Sequence, residues 1–249
     1  MKKEHVKFSA ITMGQTTDWS VGRRVLNAFG DISPKLLPET LYQWEQKIGP
    51  FESVESTEPY WAYISKMRVD GSLSEFPIGL RWKRTRAVKY EAEVRHTDRN
   101  IKGDIIEGRL DIYAEPHKKI DWGGLGVKLG EAMNASVAMA HCFASFDDQK
   151  YVHGTPESAF RTLSIKDGKI PNFGWGMFLG GEFSKEVKFD LISSAGFIVK
   201  QAAEGFWIQV TEDINDVANN FTFFSRRRAE LKSLFRNDLF LIKDEPDIS

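Results

Sequence analysis

A chain of 249 residues with 34 lysines and arginines against 35 aspartates and glutamates carries a net charge of −1, which removes the global positive field usual in a nucleic-acid binder. At this length roughly 70–75% of the unfolded surface can be buried, so no disulfide or metal is needed to hold a core. The one cysteine, Cys142, allows no intrachain bridge and fits a reducing, cytoplasmic setting; no run approaches the roughly 18 apolar residues of a membrane span, and Glu4 and His5 interrupt what would be the apolar stretch of a secretory leader.

His5 to Met13 alternates Val6, Phe8 and Ala10 with polar neighbours and predicts a strand. Asp18 is placed to cap a helix from Trp19 to Phe29, with Val21, Val25, Leu26 and Phe29 on one side and Gly30 ending it. Pro38 followed by Glu39 predicts a short helix through Trp44 and Lys47. Residues 49–61 are polar and punctuated by Pro50 and Pro59, so they read as an exposed loop presenting Glu52, Glu55 and Glu58 at every third position. From Trp61 to Ala114 a period of two recurs over 61–69, 76–86, 88–94 and 110–114, with Asp70-Gly71 and 96–103 as turns. The expectation there is an antiparallel meander with a charged, solvated outer face.

After Pro116 the period changes. Trp122, Leu125, Leu129, Met133, Val137 and Ala140 fall at helical spacing and predict one long helix from 122 to about 140, although each glycine inside it costs about 1 kcal/mol relative to alanine. His141 to Phe146 reads as a short strand, Asp147-Asp148 as a turn, Thr155 to Leu163 as a helix and Asp167-Gly168 as another turn. The run NFGWGMFLGGEF, residues 172–183, is densest in glycine and large aromatics. It predicts a core strand whose glycines admit a close neighbour, and secondarily a ligand-binding aromatic shelf. Residues 187–192 fit helix or strand equally. Residues 196–199 and 206–210 flank Glu204-Gly205 as a hairpin. From Asp213 the pattern is helical, with Phe221, Phe224, Leu231, Leu234 and Phe235 on one face and Arg226, Arg227 and Arg228 on another; Leu239 to Ile242 is open to a last strand, and 244–249 to a mobile acidic tail. The sum is an α+β fold over residues 1–243: a mixed, mainly antiparallel sheet with packed helices, in a single globular domain of one body or of two lobes meeting near Pro116.

Motifs that carry chemistry are few. His5, His96, His117, His141 and His153 never pair at i, i+4, and with no Cys-x-x-Cys the sequence offers no zinc set, so no metal and no cofactor is expected. GGLGVKLG (123–130) and GWGMFLGG (174–181) match neither a dinucleotide fingerprint nor a phosphate loop, and Ser193-Ser194-Ala195-Gly196 lacks the first glycine of a nucleophile elbow. Arg81, Lys83, Arg84 and Arg86 surround Trp82; on a strand they divide between two faces, so surface ion pairing outweighs a nucleic-acid groove. Carboxylates at Glu52, Glu55, Glu58, Asp147 and Asp148 stand in loops and turns, where partners can reach them.

The second half, with its long apolar helix, short strand, FGWGMFLGGEF, hairpin and arginine-bearing helix, resembles the immunity protein 52 family of bacterial polymorphic toxin and type VI secretion systems. Gly174-Trp175, Gly196 with Gly205, Gln209, Thr211-Glu212 and Asp216-Val217 carry the likeness, and Leu36-Leu37-Pro38-Glu39 before Trp44 extends it into the first half. The resemblance implies a cytoplasmic antidote without catalytic residues that binds and neutralises a cognate toxin, often a nuclease with a restriction-endonuclease-like domain, and that touches neither membrane nor nucleic acid itself. A nuclease grips phosphate with cations, so Glu52, Glu55, Glu58, Asp147 and Asp148 are the natural counterparts, with Tyr60 and Trp61 as aromatic anchors. Two other classes stay open: an enzyme with a dispersed site near Trp175, and a single-stranded nucleic-acid binder using Trp82 and its arginines.

Overall fold

The computed structural model describes residues 4–69, 72–143 and 163–245. In chain order its strands are β1 (His5–Thr12), β2 (Thr40–Gln43), β3 (Gln46–Pro50), β4 (Tyr63–Val69), β5 (Ser72–Ile78), β6 (Leu80–Arg84), β7 (Tyr90–Arg95), β8 (Asp98–Arg99), β9 (Ile105–Ile106), β10 (Gly108–Ala114), β11 (Val137–Phe143), β12 (Gly176–Gly180), β13 (Ile198–Ala202) and β14 (Gly205–Gln209). The α-helices are α1 (Trp19–Ile32), α2 (Glu58–Trp61), α3 (Trp122–Ala132), α4 (Phe189–Ser194), α5 (Asp216–Asn219) and α6 (Phe221–Lys232).

Among the described residues, ten strands form one antiparallel sheet in the order β13-β14-β12-β11-β1-β10-β7-β6-β2-β3, with β4-β5 and β8-β9 as separate two-stranded ribbons. The fold is α+β. β1 is the seam: Phe8 stands opposite Ile112 of β10 on one side and Ala140 of β11 on the other. Strands from before and after Pro116 therefore share one sheet, and the alternative of two lobes gives way to one body.

Pairing across the sheet places Trp82, Ala92, Ile112, Phe8, Ala140 and Gly176 on one face. Helices α1 and α3, which pack on each other, cover that face; Phe29 of α1 meets the rings of Trp82 and Tyr90 at 5.9 and 5.3 Å. Under α3 the glycines find their reason. A Cβ at Gly126 or at Gly176 would overlap the indole of Trp207, and one at Gly130 would lie 2.6 Å from the Phe178 ring. Positions 123, 126 and 130 form one helical stripe, so α3 lies against the sheet with Trp207 wedged between helix and strand. Among the described residues the opposite face is filled only over the second half of the sheet, where α5 packs on β11 and Phe224 of α6 meets His141 at 5.7 Å. Over β6, β7 and β10 that face carries Arg81, Lys83, Glu91, Glu93, Arg95 and Asp111.

Several expectations are corrected. Asp18 caps α1 by accepting from the Ser20 backbone N–H at 2.7 Å, but the helix passes Gly30 and stops where Ser33 precedes Pro34. The helix expected after Pro38 is instead the β2–β3 hairpin, because Leu41 and Tyr42 pair along β6 and Trp44 turns the chain with φ +53°. Within 49–61 the chain is less a loop than expected: β3 runs to Pro50, followed by a 3-10 turn at Glu55–Thr57 and α2. The helix from 122 ends at Ala132. Asn134 adopts φ +46°, the Ala135 N–H reaches the Gly130 carbonyl and the Asn134 N–H the Glu131 carbonyl, which is a Schellman stop, and 137–140 belongs to β11. Residues 187–192 are resolved in favour of helix by α4, and Leu239 to Ile242 makes a single bridge, Ile170 to Phe240, in place of a strand. The helix expected from 155 and the Asp147-Asp148 turn lie outside the described residues.

The arginine run is also divided. Arg228 is 2% exposed, and its guanidinium holds the Glu245 carboxylate at 2.6 and 2.8 Å, which also accepts from Ser225 at 2.8 Å and meets Lys232 at 3.2 Å. Residue 245, expected in a free tail, is thus pinned to α6. Burial would push the Glu245 carboxyl up, but Arg228, then Lys232 and Ser225, hold it below its ordinary value; burial pushes the Lys232 ammonium down against the pull of Glu245.

Two stability predictions follow from this packing. Gly126→Ala and Gly176→Ala each force Trp207 to move and should cost about 1–3 kcal/mol, the price of overpacking, read as a lower urea midpoint. Glu245→Gln leaves two buried cations short of a carboxylate and should cost on the order of 3 kcal/mol at neutral pH. Because the folded Glu245 pKa is depressed, its contribution is complete above the ordinary carboxyl value of 4.5 and is lost as pH falls through the folded value. The urea midpoints of parent and variant should therefore converge in acid.

Candidate interaction surface

Three hairpins stand out from the first half of the sheet. In β2–β3, Gln43 pairs with Gln46, leaving Trp44-Glu45 as a two-residue tip; the Trp44 ring is 59% exposed. Among the described residues β4 and β5 pair only with each other, from Tyr63 opposite Ile78 to Val69 opposite Ser72. Tyr63, Ile64, Met67 and Leu73 are exposed along this ribbon, on both of its faces. The β8–β9 ribbon exposes Ile105 and Ile106. Gly79 lets the chain pass from β5 into β6, since a Cβ there would run into the Val94 carbonyl of β7.

Between these hairpins lie two clefts. The first, of about 450 Å³, is walled by Trp44-Glu45 and by Phe76, Pro77 and Ile78, and is floored by Arg81, Glu93 and Arg95. The second, of about 540 Å³, is lined by Met13, Ile105, Ile165 and Phe183. Ile106 and Glu107 border both, so the clefts form one broken apolar surface across the β8–β9 ribbon. Large exposed apolar groups gathered in this way mark surfaces that other macromolecules cover.

The charges of the first cleft are unequal. Glu45, Glu93, Asp98 and Glu107 face Arg81 and Arg95. Both guanidiniums are already engaged: Arg81 donates to Glu91 at 2.7 Å, a hydrogen bond that raises its pKa, and Arg95 meets Asp111 at 3.3 Å. Glu107 holds Arg109 at 2.6 Å, whereas Glu45 and Glu93 make no ion pair among the described residues. His96, at the back of the cleft, is a fixed neutral ring. Its Nε2–H donates to the Trp61 carbonyl at 2.6 Å, its Nδ1 accepts from the Thr16 hydroxyl at 3.1 Å, and burial holds its pKa below the ordinary imidazole value.

Of the residues nominated from the sequence, Glu52, Glu55 and Glu58 are exposed and make no ion pair among the described residues. None of the three lines either cleft. Tyr60 is half-buried against the core. Trp61 is corrected outright: at 1% exposure it faces inward, donates its indole N–H to the Thr16 carbonyl at 2.8 Å, and fills the space that Gly22 leaves open. It anchors the acidic segment to the core and is not itself a contact for a partner. Asp147 and Asp148 lie outside the described residues.

Trp82 is fully buried under α1, so it offers no face on which a base could stack; Arg81 and Lys83 share Glu91, and Arg84 meets Glu39 at 3.7 Å. Trp175 packs against Trp207 at 6.5 Å, its backbone N–H donates to His141 Nδ1 at 3.1 Å, and it borders a recess of about 280 Å³. Burial holds His141 well below the ordinary imidazole value. Sequence reasoning missed Trp44, Glu45 and Glu93. The signal for Trp44 was a tryptophan set directly among the polar residues Gln43, Glu45 and Gln46.

No family model matches the chain, and no curated protein does. Among solved structures, Pseudomonas aeruginosa T6SS protein PA0821 superposes with a TM-score of 0.56 at 9% sequence identity, over 95% of this chain and 73% of that one. At that identity the likeness is one of fold, and it spans both halves of the sheet.

Proposed function

We propose that this chain is an immunity protein of a type VI secretion system, which binds a cognate toxin in the cytoplasm and neutralises it by covering its working surface. The observation that carries the reading is the exposure of Trp44, Ile105 and Ile106 at two joined clefts at one end of the sheet, beside a β4–β5 ribbon whose base walls the first cleft and which exposes Tyr63, Ile64, Met67 and Leu73. A stable protein–protein interface buries about 1,200–2,000 Å² with apolar anchors at its centre and a polar rim, and such a surface is what these hairpins provide. The fold shared with a protein named for the type VI secretion system supports the setting.

Neutralisation by coverage needs no reactive group in the antidote. A nuclease toxin of the restriction-endonuclease type would present cations where it grips phosphate. The free carboxylates of Glu45, Glu93, Glu52, Glu55 and Glu58 suit such a partner and would speed its capture at low salt. Co-expression tests the reading: with the toxin encoded beside this gene induced, cells carrying the parent chain should form colonies and cells without it should not, and the two proteins should co-elute. Failure to rescue growth against every neighbouring gene product would remove the proposal.

A further inference from the structure

We propose that the first cleft is the seat of a lysine or arginine side chain from the protein partner, taken up between the Trp44 indole and the carboxylates of Glu45 and Glu93. The inference rests on the reading of this face as a protein-binding surface and names the chemistry of what enters it. Four carboxylates border the cleft against two guanidiniums, and both guanidiniums are bonded to Glu91 and Asp111, which are not among its lining residues. The lining itself carries two more carboxylates than guanidiniums, with Glu107 held from outside by Arg109. Glu93 stands opposite Arg81 in the β6–β7 register, and Glu45 at the hairpin tip lines the same cleft.

Trp44 supplies the other half of the site. Its left-handed backbone at φ +53° turns the chain at the hairpin tip and leaves the ring largely in solvent, an arrangement without value to the core. An indole beside carboxylates binds a cation by its π face while the carboxylates take the N–H donors, and the effect grows as a partner excludes water. The apolar ridge beyond the cleft, with Tyr63, Met67 and Leu73, is too extended for a small cation to cover. The occupant is accordingly a basic segment of polypeptide with aromatic or aliphatic neighbours.

The test is selection of displayed random peptides on the immobilised full chain. Enriched sequences should pair Lys or Arg with an aromatic or aliphatic residue and should bind more weakly as salt rises. Trp44→Asn, chosen because asparagine tolerates the left-handed backbone, and the double variant Glu45→Gln/Glu93→Gln should each weaken binding about tenfold or more. The triple variant Glu52→Gln/Glu55→Gln/Glu58→Gln should change it little. Thermal unfolding of every variant should match the parent, which separates lost binding from lost fold.

Absence of enrichment, enriched peptides lacking a cation, or binding indifferent to Trp44→Asn would each overturn the assignment. So would a concentration-dependent dimer in sedimentation that Trp44→Asn abolishes, since a second copy would then own the face. The two proposals fail separately. Peptide binding as expected with no growth rescue sinks the immunity reading alone, and rescue undiminished in the Trp44 and Glu45/Glu93 variants sinks the cleft assignment alone.

Discussion

The indole of Trp207 sits where a helix and a sheet would ordinarily keep their distance, and much of the architecture depends on the room made for it. Gly126 on α3 and Gly176 on β12 leave that room from opposite sides, while the indole N–H is satisfied by Gln209 at 3.1 Å. Because a glycine stripe costs helix stability, α3 is held by what it packs against more than by its own propensity. The helix in turn buttresses α1, and α1 covers Trp82 and Tyr90 across the seam at β1. One wedge of aromatic packing in the second half of the chain thus fixes the layer that roofs the first.

That arrangement gives the two faces of the sheet different tasks. Over β11, β12 and β14 both faces are filled, and Met139, Met177 and Ile208 are fully buried. Over β6, β7 and β10 only the α1 side is filled, and the other side is a lattice of ion pairs in which Glu91 serves both Arg81 and Lys83. Such pairs contribute little to stability where water reaches them.

How far this was legible in the sequence differs from element to element for physical reasons. The Asp18 cap, the 198–209 hairpin and the dense glycine–aromatic strand were readable because each signal is local: a side-chain acceptor, a tight turn, a residue without a Cβ. The overlong helix after 122 came from an apolar run that fits helix and buried strand alike; Asn134 was the mark of the stop, and only its left-handed backbone reveals it. The exposure of Trp44 and the burial of Trp61 were not legible because exposure is a property of the fold. One tryptophan lies at a tip with nothing above it, the other in a space that Gly22 opens. The Arg228–Glu245 pair was hidden because a triple arginine and an acidic tail each look solvated until they meet.

The β4–β5 ribbon carries this reasoning to its last step. A two-stranded ribbon bonded to no third strand is marginal in water, and here its base is held by buried Ile78 and by the adjoining Trp61, while Tyr63, Met67 and Leu73 along it stay exposed. Among the described residues nothing in the core packs on these exposed side chains. A partner lying across the ribbon and the Trp44 tip would bury apolar surface on both and give the ribbon the neighbour it lacks. Under the proposed function, recognition and the stability of the hairpin would come from the same contact, at the rim and away from the glycines and tryptophans that shape the interior.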